Sequence, residues 1–269
     1  HFVDRDEMSR LEEALSTAGL ATVCALQGMR GVGKSQLASA FAARCEASDW
    51  VFVGWVNAPT RLQAIEELAG IARAAQLVPD DVSPEEAAGR LVTWLSDGSL
   101  SERLLVFDNV ENADDLAGLV PRGNGMRVIV TTNSRVATLG FPVEVGVFTL
   151  PQAVAHLTEA TGLTDQAGAE AVAVDLDRLP VALTQAASTI RLLGIDFGDY
   201  RALLANFPLE DSLQREEGDS YPLNVGRALR LAYQTHLNHL TQSDPGQAEA
   251  ARRILGTLSL LAESGTPKA

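Results

Sequence analysis

The run Gly28-Met29-Arg30-Gly31-Val32-Gly33-Lys34-Ser35 places four residues between a glycine and Gly-Lys-Ser, the pattern of a phosphate-binding P-loop. Each residue type has a physical task. Glycines let the backbone wrap a phosphate chain closely, at φ angles and approaches that a Cβ would obstruct. The backbone amides of Gly28, Arg30, Gly31, Val32 and Gly33 then do the gripping. Lys34 supplies a positive charge for β and γ phosphates and Ser35 a hydroxyl for Mg²⁺. A helix opening at Gln36 adds the positive end of its dipole.

A second signal is Arg103-Leu104-Leu105-Val106-Phe107-Asp108-Asn109-Val110. Its apolar run reads as a buried strand, with a carboxylate at the carboxyl end. In an open α/β sheet ligands bind at that end, so Asp108 is expected near Ser35 as the second Mg²⁺ contact, in the manner of a Walker B segment. Alone the segment is weak, because apolar runs often end in Asp simply to enter a turn. Gly125 to Asn133 is another strand with polar residues at the same edge. Thr132 and Asn133 are either sensors of the γ phosphate or attacking water, or the cap of a strand-end turn. Lys34, Asp108 and Asn133 are therefore the candidate catalytic residues.

These groups must be positioned by an alternation of strands and helices. Ala21 to Leu26 is a short apolar strand and Gln36 to Arg44 an Ala-rich helix, so strand, loop and helix follow in the required order. Trp50 to Asn57 reads as a strand and Leu62 to Leu77 as a helix. The next helix starts at Ser83-Pro84, a cap followed by proline at the first helical position. Phe141 to Phe148 makes a fifth strand. The pattern implies a parallel sheet covered on both faces. Trp55 and Trp94 read as packing residues rather than a cofactor box.

Beyond Leu150 the pattern becomes helical, at Gln152 to Thr161, Thr164 to Leu176, Val181 to Leu193 and Tyr200 to Ala205. Phe207 to Pro222 reads as a linker, followed by helices at Asn224 to Leu240 and Gly246 to Ala262. Domains are expected at 1–149, 150–207 and 208–269. His156, His236 and His239 lack metal partners at sensible spacing and are expected to be exposed or to cap helices.

With 269 residues, 46% of them hydrophobic, the chain can bury one large or two small cores. A formal net charge of −14 disfavours nonspecific nucleic-acid binding, so the phosphate site must be a local positive exception. Cys24 and Cys45 in apolar contexts point to buried thiols in a reducing, cytoplasmic setting. No apolar run approaches a membrane span. The chain opens on His1 and enters organised sequence at once, as expected of a piece of something longer.

Taken together, Phe2-Val3-Asp4-Arg5, Gly28 to Ser35, Leu104 to Val110, Val128 to Asn133 and Arg178-Leu179-Pro180-Val181-Ala182-Leu183 resemble the NB-ARC module. That module belongs to the signal-transduction ATPases with numerous domains (STAND), which include NLR-like plant disease-resistance proteins, the apoptosome scaffold protein and many bacterial regulators. The resemblance implies an α/β P-loop NTPase sheet of the AAA+/NB-ARC kind, then an α-helical lid and the start of a winged helix. It places Val3 and Arg5 by the adenine, and Leu179 and Pro180 over the base and sugar. It implies a slow Mg²⁺-dependent ATPase working as an ATP/ADP switch, which forms a homo-oligomer when activated. Effector and sensor domains, the latter built of repeats, would lie outside this chain. Departures are Asp4 and Arg178 where the family usually has Gly, Asn109 where many relatives carry a second acid, and Asn133 where many have Arg. An amide at 109 cannot act as a general base. The rival expectations are an AAA+-type motor or P-loop kinase, and a scaffold that binds nucleotide without turning it over.

Overall fold

A computed structural model describes residues 6–25, 31–99, 102–133, 139–207 and 223–259. The chain divides into two compact units, His1–Val147 and Phe148–Ala269.

The first unit is built on a five-stranded sheet of β1 (Leu20–Ala25), β2 (Phe52–Asn57), β3 (Arg103–Val110), β4 (Met126–Thr132) and β5 (Phe141–Val145). The spatial order is β2-β3-β4-β1-β5 and every pairing is parallel. Leu104, Leu105, Val106 and Phe107 are all buried, so both faces of β3 are covered, as its unbroken apolar run requires. Leu105, Phe107, Met126, Val128 and Val130 join one core cluster with α3 (Arg61–Ala74) and α4 (Pro84–Leu95). Their neighbours Leu104, Val106 and Ile129 point to the other face. α2 (Lys34–Ala47) packs against β1, β3 and β4 outside that cluster. It does so through Leu37, Ala38, Phe41, Ala42 and Cys45, a helical stripe whose alanines permit close approach. Cys45 is a buried free thiol, and burial, helped by Glu46, pushes its pKa up to about 11. The Cys24 thiol lies outside what is described.

α1 (Asp6–Ala18) buries Met8, Leu11, Ala14 and Leu15 and packs on β5 and β1. It stops at Gly19, whose φ of +70° and whose 3.2 Å approach to the Met126 carbonyl, measured for an added Cβ, favour a residue without a side chain. Ser83 caps α4 by accepting the Glu86 N–H, with Pro84 at the first position, as expected. Trp94 packs edge-on against Phe52 at 5.7 Å, whereas Trp55 is 37% exposed on the edge strand β2.

The described elements of the second unit are all helices. They are α5 (Leu150–Thr161), α6 (Gln166–Asp175), α7 (Pro180–Leu193), α8 (Phe197–Asn206), α9 (Leu223–Ser243) and α10 (Pro245–Ser259). α7 is central, packing on α5 and α9 through Ala182, Leu183, Ala186, Ala187 and Ile190. Two of its hydroxyls meet imidazoles from those neighbours. Thr184 lies 3.2 Å from His156 Nε2, and Ser188 lies 3.0 Å from His236 Nε2. His156 is therefore buried against Phe148 and α7, neither exposed nor a cap, which corrects the sequence expectation. The turn before α7 holds Asp177 and Arg178 at φ +51° and +56°, so the usual family glycine is replaced at a left-handed position. Of the expected linker Phe207 to Pro222, residues 208–222 lie outside the described residues, as do residues 260–269.

Candidate functional site

The carboxyl ends of β3 and β4 converge on the first turn of α2. The helix opens at Lys34, two residues earlier than Gln36, because Gly33 at φ +101° already turns the chain into it. Lys34, Ser35 and Gln36 thus all lie in the first turn, where backbone N–H groups have no intrahelical acceptor. Gly31, at φ +78°, is a second left-handed glycine of the loop. The Val32 side chain is fully buried, so it anchors the loop and leaves only its backbone to a ligand. Gln36 is exposed. Gly28 and Arg30, together with Val3 and Arg5, lie outside the described residues.

Ser35 Oγ donates to Asp108 Oδ1 at 2.7 Å. The two residues singled out as Mg²⁺ contacts, 73 positions apart, are therefore brought together. Both offer hard oxygens, and two adjacent oxygens of an octahedral Mg²⁺ with bonds of about 2.1 Å stand roughly 3 Å apart. The donor set fits that ion. Asp108 is buried at 8% exposure, and its carbonyl accepts the Ala58 N–H at 2.8 Å, which continues the β2 pairing to the end of the strand. Lys34 Nζ donates to Asn133 Oδ1 at 2.6 Å, which brings Asn133 to the loop. Thr132, by contrast, is buried.

Two further residues join the cluster. Thr131 is 1% exposed, donates its hydroxyl proton to Asp108 Oδ1 and accepts the Asn109 N–H at 3.0 Å. Asn57, at the end of β2, accepts from Asn109 Nδ2 at 3.1 Å. Neither stood out in the sequence, because both depend on how β2, β3 and β4 are paired. The available signal was only that each lies at the carboxyl end of a strand, Asn57 as the last residue of β2 and Thr131 as the last but one of β4.

Leu179 and Pro180 belong to the second unit. Both are buried, Leu179 as the cap residue of α7 and Pro180 as its first residue. Among the described residues there is no group of three or more His, Cys, Asp or Glu side chains able to hold a metal ion, and no helix long and apolar enough to cross a membrane.

A family model described as NB-ARC domain matches residues 4–140, half of the chain. A search of curated proteins finds no match. Among solved structures, the ORC2 protein of Aeropyrum pernix, studied as ADPNP and ADP complexes, is 16% identical with a TM-score of 0.55 over 78% of this chain and 70% of its own. Cdc6p from Pyrobaculum aerophilum is 15% identical with a TM-score of 0.50, over 72% of this chain and 65% of its own. At these identities the likeness is one of fold.

Proposed function

The chain belongs to the NB-ARC family, and on that premise we propose that this nucleotide-binding P-loop ATPase module serves as the ATP/ADP switch of a STAND, NLR-like signalling protein. ADP holds a closed monomer, and ATP favours an open form that self-associates. Effector and sensor domains outside this chain convert that change into a signal. The observation that carries the reading is the convergence of Ser35, Asp108, Lys34 and Asn133 at one end of the sheet.

In this reading the loop amides and the α2 N-terminus bind the phosphates, and Lys34 exchanges Asn133 for a phosphate oxygen. Ser35 and Asp108 hold Mg²⁺, which when bound offsets phosphate charge. Asn133 orients groups at the γ phosphate. The roles given by resemblance to Val3, Arg5, Leu179 and Pro180 are part of the same proposal. Turnover is slow because position 109 carries an amide, which can orient a water but cannot take its proton.

Single-turnover hydrolysis of ATP by the purified chain tests this, with Lys34→Ala as the control. Slow, Mg²⁺-dependent hydrolysis that the substitution removes is the expected result. Turnover on the order of 10 per second would mark an ordinary enzyme instead. Binding without hydrolysis would favour the scaffold, a reading that the Asn109–Asn57 contact supports, since it engages an N–H of the Asn109 amide with a neighbour.

A further inference from the structure

We propose that Thr131 is the positioning residue that aims Asp108; this rests on Ser35 and Asp108 being the magnesium contacts of a nucleotide site. β3 and β4 stay in step from Arg103 opposite Met126 to Phe107 opposite Val130, and pairing resumes at Val110 opposite Thr132. Two residues of β3, Asp108 and Asn109, therefore face one residue of β4, Thr131. This is a β-bulge, which bends its strand and re-aims the side chains at the bend.

An unpaired strand N–H is the usual defect of such a bulge, and here the Thr131 side chain repairs it. Its oxygen accepts the Asn109 N–H at 3.0 Å, while Asn109 takes a left-handed φ of +63°. The same hydroxyl gives its single proton to Asp108 Oδ1, the oxygen that Ser35 also reaches. One hydroxyl can donate once and accept at its lone pairs, so both bonds are satisfied together. Thr131 thereby ties the backbone of the bulge to the orientation of the carboxylate. At 1% exposure it acts on a ligand through Asp108. Partners that orient a metal ligand in this way govern metal affinity.

The test is calorimetric titration of a non-hydrolysable ATP analogue over a magnesium series and in EDTA. It uses wild type, Thr131→Val, Thr131→Ala and Thr131→Ser. Ala and Ser both lack the methyl group and differ only in the hydroxyl, so comparing them removes the loss of packing, and this pair decides the matter if the valine variant does not fold. The serine variant should keep the magnesium requirement of wild type. The alanine and valine variants should need roughly 10–100-fold more magnesium for the same tightening. Affinity in EDTA should be equal in all folded variants. An equal magnesium requirement in Ala and Ser would overturn the assignment, as would a loss of affinity in EDTA that matches the loss in magnesium. A wild type whose affinity does not respond to magnesium would overturn the underlying site reading instead.

Discussion

β3 begins with a buried arginine and carries a buried aspartate near its carboxyl end, and the two charges are held by different kinds of partner. Arg103 is fully buried and donates to two backbone carbonyls, Leu95 O at 2.6 Å and Asn124 O at 2.8 Å. Burial pulls its pKa below the ordinary arginine value, against a smaller opposing effect of Asp97. The carbonyls belong to the end of α4 and the approach to β4, so the guanidinium joins three segments of the fold. Asp108 is held by the Ser35 and Thr131 hydroxyls. A hydroxyl rotates about one bond, and the Ser35 oxygen can turn to a ligand at little cost. A buried charge fastened to backbone serves the fold, whereas one held in part by a hydroxyl that can turn away, as Ser35 can, is available for exchange.

Substitutions at the two ends should separate accordingly. Arg103→Ala carries the largest expected effect, a loss of about 3 kcal/mol or more, because it leaves a cavity and takes the donor from the buried Leu95 carbonyl and the part-buried Asn124 carbonyl. Denaturant melts would register it, while nucleotide affinity per folded molecule stays unchanged. Asp108→Asn keeps an acceptor oxygen for both hydroxyls, so stability should move by no more than about 1 kcal/mol. Its magnesium requirement for nucleotide binding should rise about tenfold or more by calorimetry. A comparably large loss of stability in Asp108→Asn would break the comparison. Asn57→Ala sharpens it with the smallest effect. The amide contact it removes is exposed, so the melt should shift by less than about 1 kcal/mol with affinity intact.

Much of this arrangement was legible in advance, for identifiable reasons. The run Leu104 to Phe107 reads as a strand buried on both sides because nothing polar interrupts it, and Asp108 marks its ligand end. Lys34, Ser35 and Asn133 came from motif spacing and strand ends, and the structure brings them together. The first strand runs Leu20–Ala25 and the fifth ends at Val145 rather than Phe148, small shifts set by pairing partners that the chain itself does not announce. α8 starts at Phe197 rather than Tyr200, because Asp196 caps it by accepting the Asp199 N–H. Thr131 and Asn57 were out of reach, since a bulge exists only relative to the register of a second strand. Trp55 is 37% exposed on the edge strand β2, and edge position follows from strand order rather than composition. His156 was misread because its hydroxyl partner comes from another helix.

Strand order also dictates a schedule. β2 pairs with β3, and α3 and α4 between them pack on each other, so this half of the sheet can assemble from neighbouring chain. β1 cannot. Leu20 pairs with Val128 and Ala21 with Phe141, so both sides of the strand that leads into the phosphate-binding loop wait for segments made much later. Closing such long loops is entropically unfavourable until the late contacts form, and it slows folding. On a ribosome, β1 is made before both of its partners and is among the last strands of the sheet to be locked in place. The nascent chain can hold no nucleotide there until β4 has emerged.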